Sequence, residues 1–327
     1  SEGETYSFKP FIKQPINYSE AETEKQLQTT LAAGSLSQTI SYKENETYTF
    51  PTLIKQSLFK YNNTEGISNF VNVNGNQVLY YIPITITNNQ NTNTTSPFQQ
   101  MIQIDVSTYS SYLASALSNV NFQDGEGNIL NSWLESGNSN TSTSTIYWVS
   151  LPNGIPANSS VTIYYCIYAT SVNCFNTTNT GEAPQLSSTY AEYDNGANVF
   201  NFYDNFAGTS LNTNKWVENT GTAGSITISN GATIYSDGGN QPNLQTLNPV
   251  VTPSSIIETY SETTGVNSGD NLGLGIVDAN ENSDTNGYFN FYATPTQFNT
   301  FYREGTSWVN QLAGYTTYSN NTWYILG

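Results

Sequence analysis

From about Gln38 onward, short aromatic or β-branched runs recur at intervals of roughly ten residues, separated by Asn, Gly, Asp and Pro. Residues 78–87 (VLYYIPITIT), 101–106 (MIQIDV), 145–151 (TIYWVSL) and 161–169 (VTIYYCIYA) are the clearest. After residue 200 follow 225–229, 256–260, 273–277, 288–292 and 298–302. No helical pattern intervenes, so parallel α/β sheets are excluded and antiparallel β-sandwiches are expected. The exception precedes this region. Residues 19–33 (SEAETEKQLQTTLAA) are rich in helix formers, with Ser19 at the cap, Glu22 three residues on and Gly34 beyond the end.

Polarity here does not signify disorder. The chain has 327 residues with 24 Tyr, 15 Phe and only 10% charged residues, whereas disordered chains are poor in aromatic and β-branched types. There is no His, which removes Ser-His-Asp, Cys-His and His-zinc chemistry. The net charge of −17 argues against nucleic acid as a partner. Six of the eight cations lie in the first sixty residues, which places a boundary near residues 60–80. In acid the many carboxylates would be neutralised, so an acidic habitat is expected.

Cys166 and Cys174, the two cysteines, are expected to form a disulfide between neighbouring strands, with two buried thiols as the alternative. Eight N-x-S/T sequons are candidate glycosylation sites: Asn17, Asn45, Asn62, Asn93, Asn140, Asn158, Asn176 and Asn320. The first 22 of the 44 Asn carry seven of them. No stretch is long and apolar enough for a membrane helix. Ser1 is expected to follow a removed leader, and TWYILG at the other end reads as a strand in progress.

Five elements in order carry a resemblance: PITITN (83–88), FQQMIQID (98–105), VNFQDGEGNILNSWLES (120–136), YWVSLPNGIPANSSVTIYY (147–165) and VFNFYDNFAGTSLNTNKW (199–216). Residues 82–168 resemble a surface-protein module known only as a domain of unknown function, which often precedes a concanavalin A-like sandwich. The last element resembles the opening strand of such a jelly roll through Tyr203, Asp204, Phe206, Gly208, Leu211 and Trp216. The overall character resembles tail-fibre adhesins of archaeal spindle-shaped viruses.

The resulting expectation is a mainly β chain of tandem sandwiches. Residues 1–78 form an anchoring segment, 79–195 the first sandwich and 196–327 a concanavalin A-like sandwich. Trp133, Trp148 and Trp216 fall in matched elements and are expected in cores. The glucanase pattern Glu-x-Asp-x-x-Glu of concanavalin A-like folds is broken here. Glu258 and Glu262 share a strand face about 13 Å apart, beyond the glycosidase range of about 5–9.5 Å. No enzyme is therefore expected.

Two binding features remain. Asp278, Asn282, Asp284 and Asn286 resemble the start of a calcium loop, but Ala293 stands where the bidentate Glu belongs; the alternative is a hairpin loop. Tyr302, Trp308, Tyr315 and Tyr318 are the candidate sugar-stacking set, although such residues also build strand cores. The expected function is that of an extracellular, non-catalytic adhesin or fibre protein, forming homo-oligomers. Its N-terminal segment would meet other subunits of a virion tail or surface filament. Its distal sandwich would meet a cell-surface glycan or glycoprotein. A structural subunit of an archaeal pilus or surface layer is the alternative, and a secreted carbohydrate enzyme the third reading.

Overall fold

A computed structural model describes residues 70–220 continuously. Before them it describes 38–42, 46–50 and 58–60; after them, 224–235, 242–248, 250, 255–262, 290–294, 297–304, 307–317, 319 and 321–326. The chain is mainly β, as expected. The helix expected over 19–33 and the loop over 278–287 lie outside the described residues. Contacts divide the chain into two units at Ala207 and Gly208.

Strands β1 (Gln38–Tyr42) and β2 (Glu46–Phe50) pair antiparallel, Ile40 opposite Tyr48. The first unit is then built from β3 (Phe59–Lys60), β4 (Tyr80–Asn88), β5 (Phe98–Ile104), β6 (Val120–Gln123), β7 (Ser132–Ser136), β8 (Thr145–Leu151), β9 (Ser159–Ile167) and β10 (Thr180–Glu182). Two four-stranded sheets result, in the orders β3-β4-β9-β6 and β10-β7-β8-β5. Their apolar sides share one core. Ile82, Ile84, Phe122, Ile163 and Tyr165 of the first sheet meet Ile102, Ile104, Leu134, Tyr147 and Val149 of the second. The alternation of inward and outward residues along each strand is what fixes this register. Phe122, Tyr147 and Tyr165 form an edge-to-face triad with centroids 5.2–5.8 Å apart, and the two phenols share a hydrogen bond of 3.3 Å.

One pairing departs from the antiparallel expectation. Strand β10 runs parallel to β7, Gly181 opposite Trp133. Residues 168–179 carry the chain from β9 of one sheet to the edge of the other, so β10 arrives in the direction of β7. Asn119 ties this crossover down. Fully buried, it donates to the carbonyls of Tyr168 (2.7 Å) and Tyr112 (3.0 Å) and accepts from Ala114 N (2.8 Å).

A four-residue helix, α1 (Gly196–Val199), follows. Residues 199–206, expected to open the second sandwich, pack instead on the first. Phe200 and Tyr203 contact Trp133 there, and residues 203–206 lie in no strand, with Phe206 at φ 51°. The Tyr-Asp-x-Phe pattern supplies aromatics for a tertiary contact that a strand at this position would carry away.

The second unit contains β11 (Trp216–Asn219), β12 (Ser225–Ile228), β13 (Ala232–Tyr235), β14 (Asn243–Thr246), β15 (Thr259–Ser261), β16 (Asn290–Thr294), β17 (Gln297–Glu304), β18 (Ser307–Thr317) and β19 (Tyr324–Leu326). Its described strands pair antiparallel as β11-β14, β12-β13, β15-β19 and β16-β17-β18. The tight β12–β13 turn places Asn230 (φ 50°) and Gly231 (φ 134°) in the region these residue types tolerate.

Candidate functional site

The outward side of the β10-β7-β8-β5 sheet carries a cluster of aromatics and carboxylates. Period-2 alternation turns Leu134 and Tyr147 inward, so Trp133, Glu135 and Trp148 turn outward. Trp133 and Trp148 are direct cross-strand partners. Phe200 sits edge-on to both, at 5.3 and 5.6 Å, and Tyr203 stacks on Phe200 at 5.8 Å.

Asp194 locks this arrangement. Its carboxylate accepts from the Trp133 indole (2.9 Å), the Tyr203 hydroxyl (2.7 Å), the Asn205 amide (2.6 Å) and the Gly196 N–H (3.0 Å). Burial, and then the Asp194 charge, push the Tyr203 phenol far above its ordinary range, so it stays a donor. Glu135 accepts the Trp148 indole at 2.6 Å, and burial raises its carboxyl above the ordinary value. The donors to both carboxylates are neutral groups of the fold itself. That chemistry holds residues 194–206 on the sheet. Among the described residues, no three His, Cys, Asp or Glu side chains converge in a metal-holding group.

The second unit presents a different surface. Tyr260 of β15 stacks on Trp323 with centroids 4.7 Å apart and planes at 21°. Tyr260 is 45% exposed and Trp323 50%. Ile325, the cross-strand partner of Tyr260, is 47% exposed. Single exposed hydrophobics are common, but two stacked rings with an aliphatic neighbour form a platform for an apolar ligand face. The sequence reading missed this pair because 62 positions separate the two residues and an antiparallel pairing of just three residues brings them together.

The expected stacking residues Tyr302, Trp308 and Tyr315 lie on β17 and β18, where the backbone register pairs Tyr302 with Val309 and Arg303 with Trp308. Their side chains, and Tyr318, lie outside the described residues, as do Asp278, Asn282, Asp284 and Asn286. Glu258 and Glu262 flank β15, the former exposed. Among the sequons, Asn93 and Asn158 are exposed and Asn140 and Asn176 half-buried. Asn17, Asn45, Asn62 and Asn320 lie outside the described residues.

The expected disulfide is not formed. Cys166 and Cys174 are free, buried thiols. Both enter one apolar cluster with Phe70, Val78, Tyr81, Tyr168 and Val172. Cys166 sits in β9 between Tyr81 and Asn121 of its two neighbours, and its thiol donates weakly to the Tyr164 carbonyl at 3.7 Å. The Cys174 N–H is tied to the Ser118 carbonyl at 2.7 Å. Burial pushes the Cys166 thiol well up and the Cys174 thiol up to about 12, which suppresses the thiolate that disulfide exchange requires.

Residues 116–219, about a third of the chain, match the family described as Domain of unknown function (DUF2341). The matched range ends beyond the Asp194 cluster and so takes in the whole of it. A 124-residue stretch is 48% identical to "Uncharacterized protein 562" of Sulfolobus islandicus rod-shaped virus 1. It covers 37% of this chain and 21% of that protein, so the similarity reaches about a fifth of the relative's length. No solved structure matches. The matched domain and the viral relative are compatible with a non-catalytic structural or surface role.

Proposed function

We propose that this chain is an extracellular, non-catalytic attachment protein of a virion or cell surface. Residues 1–78 join it to other subunits, and its second unit, a concanavalin A-like sandwich, meets a surface glycan. The Tyr260–Trp323 stack carries the reading. Flat, exposed aromatic faces match the apolar C–H faces of sugar rings and need no catalytic group beside them. The similarity to a viral protein supports the setting. A glycan array probed with the full chain, with Tyr260→Ala and with Trp323→Ala tests it. Each substitution is expected to weaken specific binding at least about tenfold, or about 1.4 kcal/mol. Binding unchanged by both substitutions, or no binding by folded protein, overturns it.

A structural-subunit reading rests on the edge of β4. Strand β3 pairs only with Tyr80 and Tyr81, so Ile82–Asn88 has no strand partner on that side among the described residues. A strand from a second copy could pair there. Concentration-dependent assembly in light scattering supports this alternative, and a monomer at all concentrations ends it.

A further inference from the structure

Four sequons fall in the described part of the first unit, and their side-chain amides differ. Asn93 and Asn158 are exposed, in the neighbouring loops 89–97 and 152–158. The Asn93 side-chain oxygen Oδ1 accepts from Ala157 N at 2.9 Å, and Asn158 N donates to the Gln90 carbonyl at 2.9 Å. The two loops therefore hold each other at one end of the sandwich. Among the described residues, the Nδ2 of neither residue is engaged in a hydrogen bond. The hydroxyl residues that complete their sequons, Thr95 and Ser160, are exposed as well.

Asn140 is the opposite case. Its Nδ2 donates to two carbonyls, Leu113 at 3.1 Å and Ser110 at 3.3 Å. N-glycosylation leaves Nδ2 with a single hydrogen. One of these half-buried carbonyls would lose its partner, and the sugar would occupy the space the carbonyl now fills. Asn176 is intermediate: Nδ2 donates once, to the Cys174 carbonyl at 2.9 Å, while its oxygen accepts from Thr178 N and Asn179 N.

We propose that Asn93 and Asn158 carry N-linked glycans and that Asn140 stays unmodified, because the fold consumes both of its amide hydrogens. The co-reactant is a lipid-linked oligosaccharide phosphate. Nδ2 attacks the anomeric carbon, the N–C bond forms as the C–O bond to phosphate breaks, and the lipid phosphate leaves. One amide proton passes to a base of the transferase, and nothing is oxidised or reduced. The assignment rests on the extracellular reading above. The two glycans would cover one end of the first sandwich with neutral bulk, placing partner contacts on its sides or on the second unit.

The test is glycopeptide mass spectrometry of the full chain, secreted from an N-glycosylating archaeal host. The same mapping is done on protein from its native source. In the secreted protein, peptides containing Asn93 and Asn158 are expected to carry one glycan each, and the Asn140 peptide none. Thr95→Ala and Ser160→Ala each remove one glycan mass without touching the asparagine that packs the loops; Asn93→Gln and Asn158→Gln reproduce the losses. Asn140→Gln leaves the glycan mass unchanged and lowers Tm. Bare Asn93 and Asn158 in the secreted protein, or a glycan on Asn140, overturns the assignment. Glycans on the secreted protein but none on native protein would leave the assignment standing and overturn the extracellular reading instead.

Discussion

Trp148 donates its indole N–H to Glu135 at 2.6 Å, side by side on neighbouring strands. Only 9% of Glu135 is exposed, and burial lifts its carboxyl above 4.5. Glu182, 4% exposed, is raised for the same reason. Between the ordinary and the raised value the folded chain binds more protons than the unfolded one, so stability grows as pH falls through that window. Each unit of separation is worth about 1.4 kcal/mol. Thermal melts of wild type and Glu135→Gln from neutral pH to about pH 4.5 are expected to show a smaller acid-side gain in the variant. Parallel pH profiles would refute the assignment.

Asp194 is predicted to hold residues 194–206 on the sheet. Asp194→Ala removes the acceptor for four donors at once. Hydrogen bonds to charged groups are worth about 1.5–3 kcal/mol each and are not additive, so a loss of about 3 kcal/mol is expected in denaturant unfolding. Asp194→Asn, which keeps one acceptor oxygen, should lose less. A loss below about 1 kcal/mol for the alanine variant would show that aromatic packing alone holds the segment.

Gly181 lies where β10 crosses beneath Asn195. A Cβ there would strike the Asn195 side chain and the Tyr193 carbonyl, and the second of these is backbone. Gly181→Ala is expected to cost about 1–3 kcal/mol, at the overpacking scale. Wild-type stability in this variant would mean that the 193–195 backbone moves freely.

Cys166 and Cys174 are predicted to resist alkylation in the folded protein and to react together on denaturation. Mass spectrometry after iodoacetamide treatment under both conditions reads this directly. Two added groups only after unfolding support free buried thiols. None after unfolding without reductant restores the disulfide.

Strands with strong alternation could be read from the chain itself. The run 145–151 coincides with β8, and 161–169 overlaps β9 (Ser159–Ile167) with a shift of two residues. Tyr, Ile and Val at every second position, closed by Asn, Gly or Pro, leave little alternative. Strand β10 was not legible: three residues with Gly in the middle carry no pattern, and its parallel partner lies 48 positions earlier. The Asp194 cluster was hidden for a related reason. Its donors come from positions 133, 196, 203 and 205, and only the tertiary fold makes them neighbours. Of the three Trp expected in cores, Trp148 is buried, on the outward side of the sheet against Phe200, while Trp133 and Trp216 are half-buried.

The strand order of the first unit also sets how quickly it can form. Strand β4 pairs with β9, joining Thr85 to Thr162, and β5 pairs with β8, joining Met101 to Trp148. Neither pairing can begin as a local hairpin, because long loops must close before any ladder bond is made. Such sandwiches fold in about milliseconds to seconds, while local hairpins form in about microseconds. A newly made chain therefore passes that interval with its apolar strand faces, Ile82, Ile84, Ile102 and Ile104 among them, not yet covered by the opposite sheet.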